Sequence, residues 1–198
     1  MGYGGGPPNP THIEIHNRYP MPWIILDRDG VINRDSDAFI KSPDEWVPIP
    51  RSVEAMAELS RHGYRIAVIT NQSGIARGLF GLDALEAMHD KMRSLVQTAG
   101  GQLDRIYFCP HGPDDGCDCR KPKTGLFERF ARDTGADLRG VPAIGDSYRD
   151  LQAAAAVGCR PMLVKTGKGL RTQAGHPHLP YPVFEDLYDA VQHLIAQA

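Results

Sequence analysis

Two carboxylates, Asp27 and Asp29, stand two residues apart in the stretch WIILDRDGVIN, with an apolar run directly before them and Gly30 directly after. A pair so spaced, emerging where a buried segment ends, can divide labour: one carboxylate attacks an electrophile and the other carries protons. Attack at phosphorus forms an aspartyl phosphate and splits one hard hydrolysis into two displacements. Both carboxylates repel a phosphate dianion unless a hard cation lies among them, and an all-oxygen set suits Mg²⁺. Taken alone, Asp-x-Asp-Gly is as readily a turn capped by its own side chains.

Three further stretches change that balance. VITNQSGIARG ends an apolar run in Thr70, whose hydroxyl can donate to a phosphoryl oxygen, followed by Asn71, Gln72 and Ser73. RKPKTG supplies Arg120 and Lys121, and AIGDSYRDLQAA supplies Asp146 with Asp150 beyond it. Each has a plain structural reading as a turn, a solvated basic loop or a helix cap. Together they assemble nucleophile, acid/base, hydroxyl donor, cation and metal-binding acid, the electrostatic set that phosphoryl transfer requires.

The stretch CPHGPDDGCDCRKPKTG holds three of the four cysteines, Cys109, Cys117 and Cys119, together with His111. Cys-x-Cys is too close for an unstrained disulfide in most backbones, and a redox site would favour Cys-x-x-Cys. A Cys₃His set can instead close tetrahedrally around Zn²⁺, and a closed site is structural. Zinc would then hold an irregular HGPDDG loop rigid beside Arg120 and Lys121. Cys159 stands alone and reads as a small buried apolar residue.

The elements that must position these groups follow from periodicity. WIILD, YRIAVIT, RIYFC, VPAIGD and PMLVKTG read as buried strands. Helix-period segments lie between them at Val53 to Arg61, Leu82 to Val96, Leu126 to Thr134 and Tyr148 to Val157. The alternation predicts an α/β fold with a Rossmann-like parallel sheet flanked by helices. Ligands of such sheets gather at the carboxyl ends of the strands, where every polar cluster above falls.

The order DRDG, TNQ, RKP, GDS resembles the four motifs of the haloacid dehalogenase-like phosphatase superfamily, over nearly all of residues 23 to 166. DRDGVIN, TNQSGIARG, CDCRKP and LVKTGKG resemble most closely the members acting on sugar bisphosphates; the short loop between His111 and Cys117 also resembles a phosphatase domain that hydrolyses histidinol phosphate. The resemblance implies a fold without a large cap domain, Asp27 as nucleophile, Asp29 as proton donor, and Thr70 and Lys121 as stabilisers of the transferring phosphoryl group. It implies Mg²⁺ held by Asp27, by Asp146 and by the backbone carbonyl of Asp29. Substrate contacts are implied for Asp35, Ser36, Asp37, Ala38, Asn71, Gln72, Ser73 and Arg120. Where some relatives carry a lysine after Asp146, this chain has Ser147, so a second cationic contact is either missing or supplied by Lys165 or Lys168. Arg77 is a further candidate for a second phosphate.

A chain of 198 residues with 22 basic and 24 acidic side chains carries no broad positive field, which argues against nonspecific nucleic-acid binding. No apolar run reaches the length that spans a bilayer, and the start lacks the apolar centre of a secretory signal. The expectation is a cytoplasmic monomer with a flexible tail over residues 1–21 and one domain over 22–198. A phosphoaccepting receiver module would also use strand-end Asp, Thr and Lys, but needs neither the second aspartate as an acid nor the cysteine loop. A purely structural zinc-binding interaction module leaves Asp27 and Asp29 unexplained.

Overall fold

Strand β1, Trp23–Leu26, is buried along its whole length. Its side chains divide between two apolar clusters, Ile24 and Leu26 on one face of the sheet and Trp23 and Ile25 on the other. That period-two division with both faces apolar marks a central strand of a sheet covered on both sides. The structure, a computed structural model, describes Met1 and residues 21–197, so the expected tail lies almost wholly outside the described residues.

Five further strands follow: β2 Arg65–Asn71, β3 Arg105–Cys109, β4 Pro142–Gly145, β5 Arg160–Val164 and β6 Val183–Phe184. They form one sheet in the order β3-β2-β1-β4-β5-β6, every pairing parallel. Helices α1 Ser52–Arg61, α2 Leu82–Thr98 and α6 Leu187–Ile195 bury their apolar stripes in the cluster around Ile24 and Leu26. Helices α3 Gly125–Thr134 and α4 Tyr148–Ala156 cover the opposite face around Trp23, Ile25 and Phe130. A short helix, α5 Gly169–Gly175, follows β5. In α2, Leu85, Met88, Met92 and Val96 are buried as their spacing implies, whereas Leu82 at the first turn is exposed.

β1 lies between β2 and β4, and the chain departs in opposite directions on its two sides. This is the switch point of a doubly wound sheet, where a crevice opens at the carboxyl ends of the strands. Asp27 leaves β1 there, its N–H donating to the Ile144 carbonyl at 2.9 Å and extending the β1–β4 pairing by one residue. Thr70 and Asn71 end β2 on one side, and Asp146 follows β4 on the other. No second sheet forms among the described residues, so the crevice opens directly to the loops above it.

Candidate active site

The crevice is a cavity of about 260 Å³ lined by Asp27, Asp29, Thr70, Lys121 and Asp146 together with their neighbours. Lys121 is its central cation. It is buried, and its Nζ lies 2.9 Å from Asp27 Oδ1 and 2.8 Å from Asp150 Oδ1 while donating to the Ile69 carbonyl at 2.7 Å. The two neighbouring carboxylates outweigh the desolvation of its ammonium and hold its pKa above the ordinary lysine value. Asn71 fixes the lysine from behind: its amide donates to the Lys121 carbonyl at 3.1 Å and its Oδ1 accepts from the Lys121 N–H at 3.0 Å.

Burial pushes the Asp27 carboxyl up to about 6 against the pull of Lys121. Asp29 is only partly buried, and there Arg28 and hydrogen bonds from Asn33 and Gln72 overcome desolvation and keep its pKa below the usual carboxylate value. Arg28, itself buried, grips both Asp29 oxygens through Nη2 at 3.0 Å. Gln72 Nε2 donates to Asp29 Oδ2 at 2.8 Å and to Thr70 Oγ1 at 2.9 Å, and its Oε1 accepts from Arg28 at 3.1 Å. One glutamine thus ties the hydroxyl donor to the acid/base group.

Asp146 lies opposite. Burial, with repulsion from Asp150 and Asp27, pushes it up to about 8. Carboxylate oxygens of Asp27, Asp146 and Asp150 lie within 4.8 Å of one another. Asp150 is committed to Lys121 and to Ser147, whose N–H and hydroxyl donate to Oδ2 at 3.0 and 2.5 Å. Asp146 Oδ2 accepts from the Lys168 N–H at 2.7 Å. That leaves Asp27 Oδ2 and Asp146 Oδ1 outside this network, and the Asp29 carbonyl accepts no hydrogen bond among the described residues. An all-oxygen corner with crowded negative charge and open acceptors fits a small hard cation such as Mg²⁺. Glycines close the corner: a Cβ on Gly30 would meet Asp146 Oδ2 at 2.1 Å, and one on Gly167 would meet it at 2.2 Å.

Asp35, Ser36 and Asp37 line the cavity, and Asp35 Oδ2 pairs with Lys168 Nζ at 2.7 Å. Ala38 is not among the lining residues; its N–H caps Ser36 Oγ at 3.1 Å and shapes the loop instead. Asn71, Gln72 and Ser73 line the cavity, and the amides of Asn71 and Gln72 are engaged with Lys121, Asp29 and Thr70. Arg120 is half-buried and donates to the His111 carbonyl at 3.2 Å. The sequence pattern puts Asp150 after Asp146 without fixing a role for it, and gives none to Arg28 or Asn33. The signal for Asp150 was present, since Ser147 and Asp150 form a capping box at the start of α4.

Cys109, His111, Cys117 and Cys119 converge as their spacing implies. His111 Nδ1 lies 3.3 Å from Cys119 Sγ and 3.6 Å from Cys109 Sγ, and Cys109 Sγ lies 3.1 and 3.7 Å from the sulfurs of Cys119 and Cys117. These cysteines are not disulfide-bonded. A tetrahedral zinc with Zn–S about 2.3 Å and Zn–N about 2.0 Å has ligand edges of roughly 3.5–3.8 Å, so the four donors fit the ion after small adjustments. Cys159 is buried apart from them.

A HAD-hydrolase-like family model matches residues 118–190, and one for polynucleotide kinase 3 phosphatase matches residues 24–146. The D-glycero-beta-D-manno-heptose-1,7-bisphosphate 7-phosphatase of Pseudomonas aeruginosa is 58% identical over 166 residues, covering 83% of this chain and 92% of that protein. Its counterpart from Bordetella bronchiseptica is 53% identical over 180 residues, covering 90% and 100%. The crystal structure of D,D-heptose 1,7-bisphosphate phosphatase from B. bronchiseptica, complexed with magnesium and phosphate, superposes with a TM-score of 0.87 over 90% of this chain and 100% of that one at 53% identity. That from Burkholderia thailandensis gives 0.70 at 41% identity, covering 88% and 99%.

Proposed function

This chain belongs to the HAD-like family of heptose-1,7-bisphosphate 7-phosphatases, and from that premise we propose that it hydrolyses the 7-phosphate of D-glycero-β-D-manno-heptose 1,7-bisphosphate and leaves the 1-phosphate in place. The observation that carries this reading is the meeting of four separate motifs in one cavity, with Lys121 bridging Asp27 and Asp150 beside an all-oxygen cation corner. The product keeps its anomeric phosphate, the group a nucleotidyl-transfer step would consume on the way to an activated heptose for lipopolysaccharide core or a related glycan.

Asp27 attacks the 7-phosphoryl phosphorus: its Oδ–P bond forms as the bond to the sugar O7 breaks, and Asp29 gives O7 its proton. Water then attacks the same phosphorus, Asp29 takes the water proton, and the Asp27–phosphorus bond breaks to release phosphate. Arg28 lowers the pKa of Asp29 in the resting site, and the charge of a substrate dianion beside it would act in the opposite sense, toward the protonated form that donation to O7 requires. Thr70 and Lys121 face the equatorial oxygens, where charge gathers in the transition state. Asp27, Asp146 and the Asp29 carbonyl would hold Mg²⁺, which when bound supplies the positive charge that lets a carboxylate approach a phosphate dianion.

The cysteine loop supports the same reading at one remove, because the His111 carbonyl accepts from Arg120 and the next residue is Lys121. Zinc held by Cys109, His111, Cys117 and Cys119 would keep that segment in register with the cavity. The substrate is a small phosphosugar, and we read the chain as acting as a monomer in the cytoplasm. No described helix is long and apolar enough to cross a membrane.

Phosphate release measured with Mg²⁺ on the β and α heptose bisphosphates and on histidinol phosphate tests the assignment. The β anomer is expected to give the highest kcat/KM, with histidinol phosphate at least about tenfold lower, a gap of roughly 1.4 kcal/mol in transition-state binding. Fastest turnover of histidinol phosphate would replace the heptose reading with the other.

A further inference from the structure

Five cations line the reaction cavity, and they are not equivalent. Lys121 is bound to Asp27 and Asp150, Lys168 to Asp35, and Arg120 to the His111 carbonyl. Arg77 is exposed and lies over the Phe39 ring at 5.7 Å. The fifth, Arg149, is half-buried in the first turn of α4, and its guanidinium makes no ion pair or side-chain hydrogen bond among the described residues.

Its position is as distinctive as its lack of a partner. Arg149 lines both the reaction cavity and a second cavity of about 550 Å³ that runs from it along the cysteine loop, past Pro113, Pro122 and Tyr148. Lys168, its Nζ paired with Asp35 Oδ2 at 2.7 Å, lines the same reaction cavity. Lys168 already has a carboxylate partner in Asp35, whereas Arg149 has none among the described residues, so an anion entering the rim would be the first partner of its guanidinium. A guanidinium with all its donors free matches a phosphate through two parallel N–H···O bonds.

The reacting phosphate belongs at Asp27, Thr70 and Lys121, so the second anion of a bisphosphate must lie toward the rim. We propose that Arg149, assisted by Lys168, binds the phosphate that the reaction leaves on the sugar, and so determines the preference for a bisphosphate over a monophosphate. Arg149 takes this part in a chain where Ser147, in the same turn, is committed to Asp150 and carries no charge. The inference rests on the heptose bisphosphate reading and adds a residue to it.

The test compares the Mg²⁺-loaded wild-type protein, Arg149→Met and Arg149→Lys on heptose 1,7-bisphosphate and on heptose 7-phosphate, which lacks the distal group. The expected result is that the kcat/KM ratio of bisphosphate to monophosphate falls about 10- to 100-fold in Arg149→Met, the loss carried by KM, and that Arg149→Lys recovers part of it. A ratio equal to wild type in Arg149→Met overturns the inference, whether activity is kept or is lost equally on both substrates. Wild-type protein that turns over neither sugar phosphate overturns the functional reading and this inference with it. Wild-type preference for the bisphosphate that survives Arg149→Met overturns the inference alone.

Discussion

Asp27→Asn is expected to lower turnover by at least about 10⁴-fold, the scale seen when a nucleophile is removed from a site that otherwise stays assembled. The amide has nearly the shape of the carboxylate but cannot form the phosphoryl ester. The fold should survive the change. Asp27 sits 2.9 Å from Lys121 in a cluster where burial pushes its pKa up to about 6, so a neutral side chain there relieves crowding with Asp146 and Asp150 while keeping an acceptor for the lysine. A thermal melt no lower than wild type, together with a phosphate-release rate near background, is the expected pair of results. Turnover within tenfold of wild type would remove Asp27 from the chemistry.

The second large effect concerns the other metal. Cys119→Ser takes one sulfur from a four-donor set and should release the zinc, which elemental analysis of the reduced wild-type protein should show at about one per chain. The loop from His111 to Cys119 is rich in Gly, Pro and Asp and has little apolar surface to pin it, so the metal supplies most of its rigidity. A loss of about 2–3 kcal/mol lowers Tm by roughly 5–10 °C in a domain of this size. Arg120 and Lys121 follow directly, and misplacing them by about 1 Å should lower kcat/KM about 10²-fold. Excess Mg²⁺ should not rescue this variant, because the defect lies in the loop and not in the oxygen corner. Full activity in a zinc-free, Mg²⁺-saturated Cys119→Ser protein would show that the loop holds itself.

What the sequence made visible was what is local. Strands β1 to β5 and helices α1 to α4 have strong periods of their own, and the motifs at Asp27, Thr70 and Asp146 lie at or next to strand ends, so their convergence follows from the parallel topology; Arg120 and Lys121 reach the same place only through the cysteine loop that follows β3. The short and weakly patterned elements escaped. Strand β6 is only Val183–Phe184, and α5 begins with a glycine and has few apolar residues. Helix α6 was legible in principle, since Asp186 caps it and Leu187, Ala190, Val191 and Leu194 form its buried stripe. PMLVKTG read as one strand, but β5 ends at Val164; Gly167 turns instead against Asp146, where only a residue without Cβ fits. The remaining gaps are pairings between distant segments. Nothing in local sequence says that Gln72 will join Asp29 to Thr70, that Lys168 will reach Asp35, or that Asn71 will hold Lys121, because each depends on which strands lie side by side.

The central claim is that Asp27 carries the phosphoryl group between the two displacements, and trapping that group tests it most directly. Acid quench of a single turnover, followed by peptide mass analysis, should find one phosphoryl group on the peptide that contains Asp27 and on no other. Asp29→Asn should both form and lose it more slowly, because that variant lacks the acid for O7 and the base that activates water for the second step. The contradicting result is phosphate released at the full single-turnover rate with no phosphopeptide at any quench time, or a phosphoryl group recovered from a residue other than Asp27.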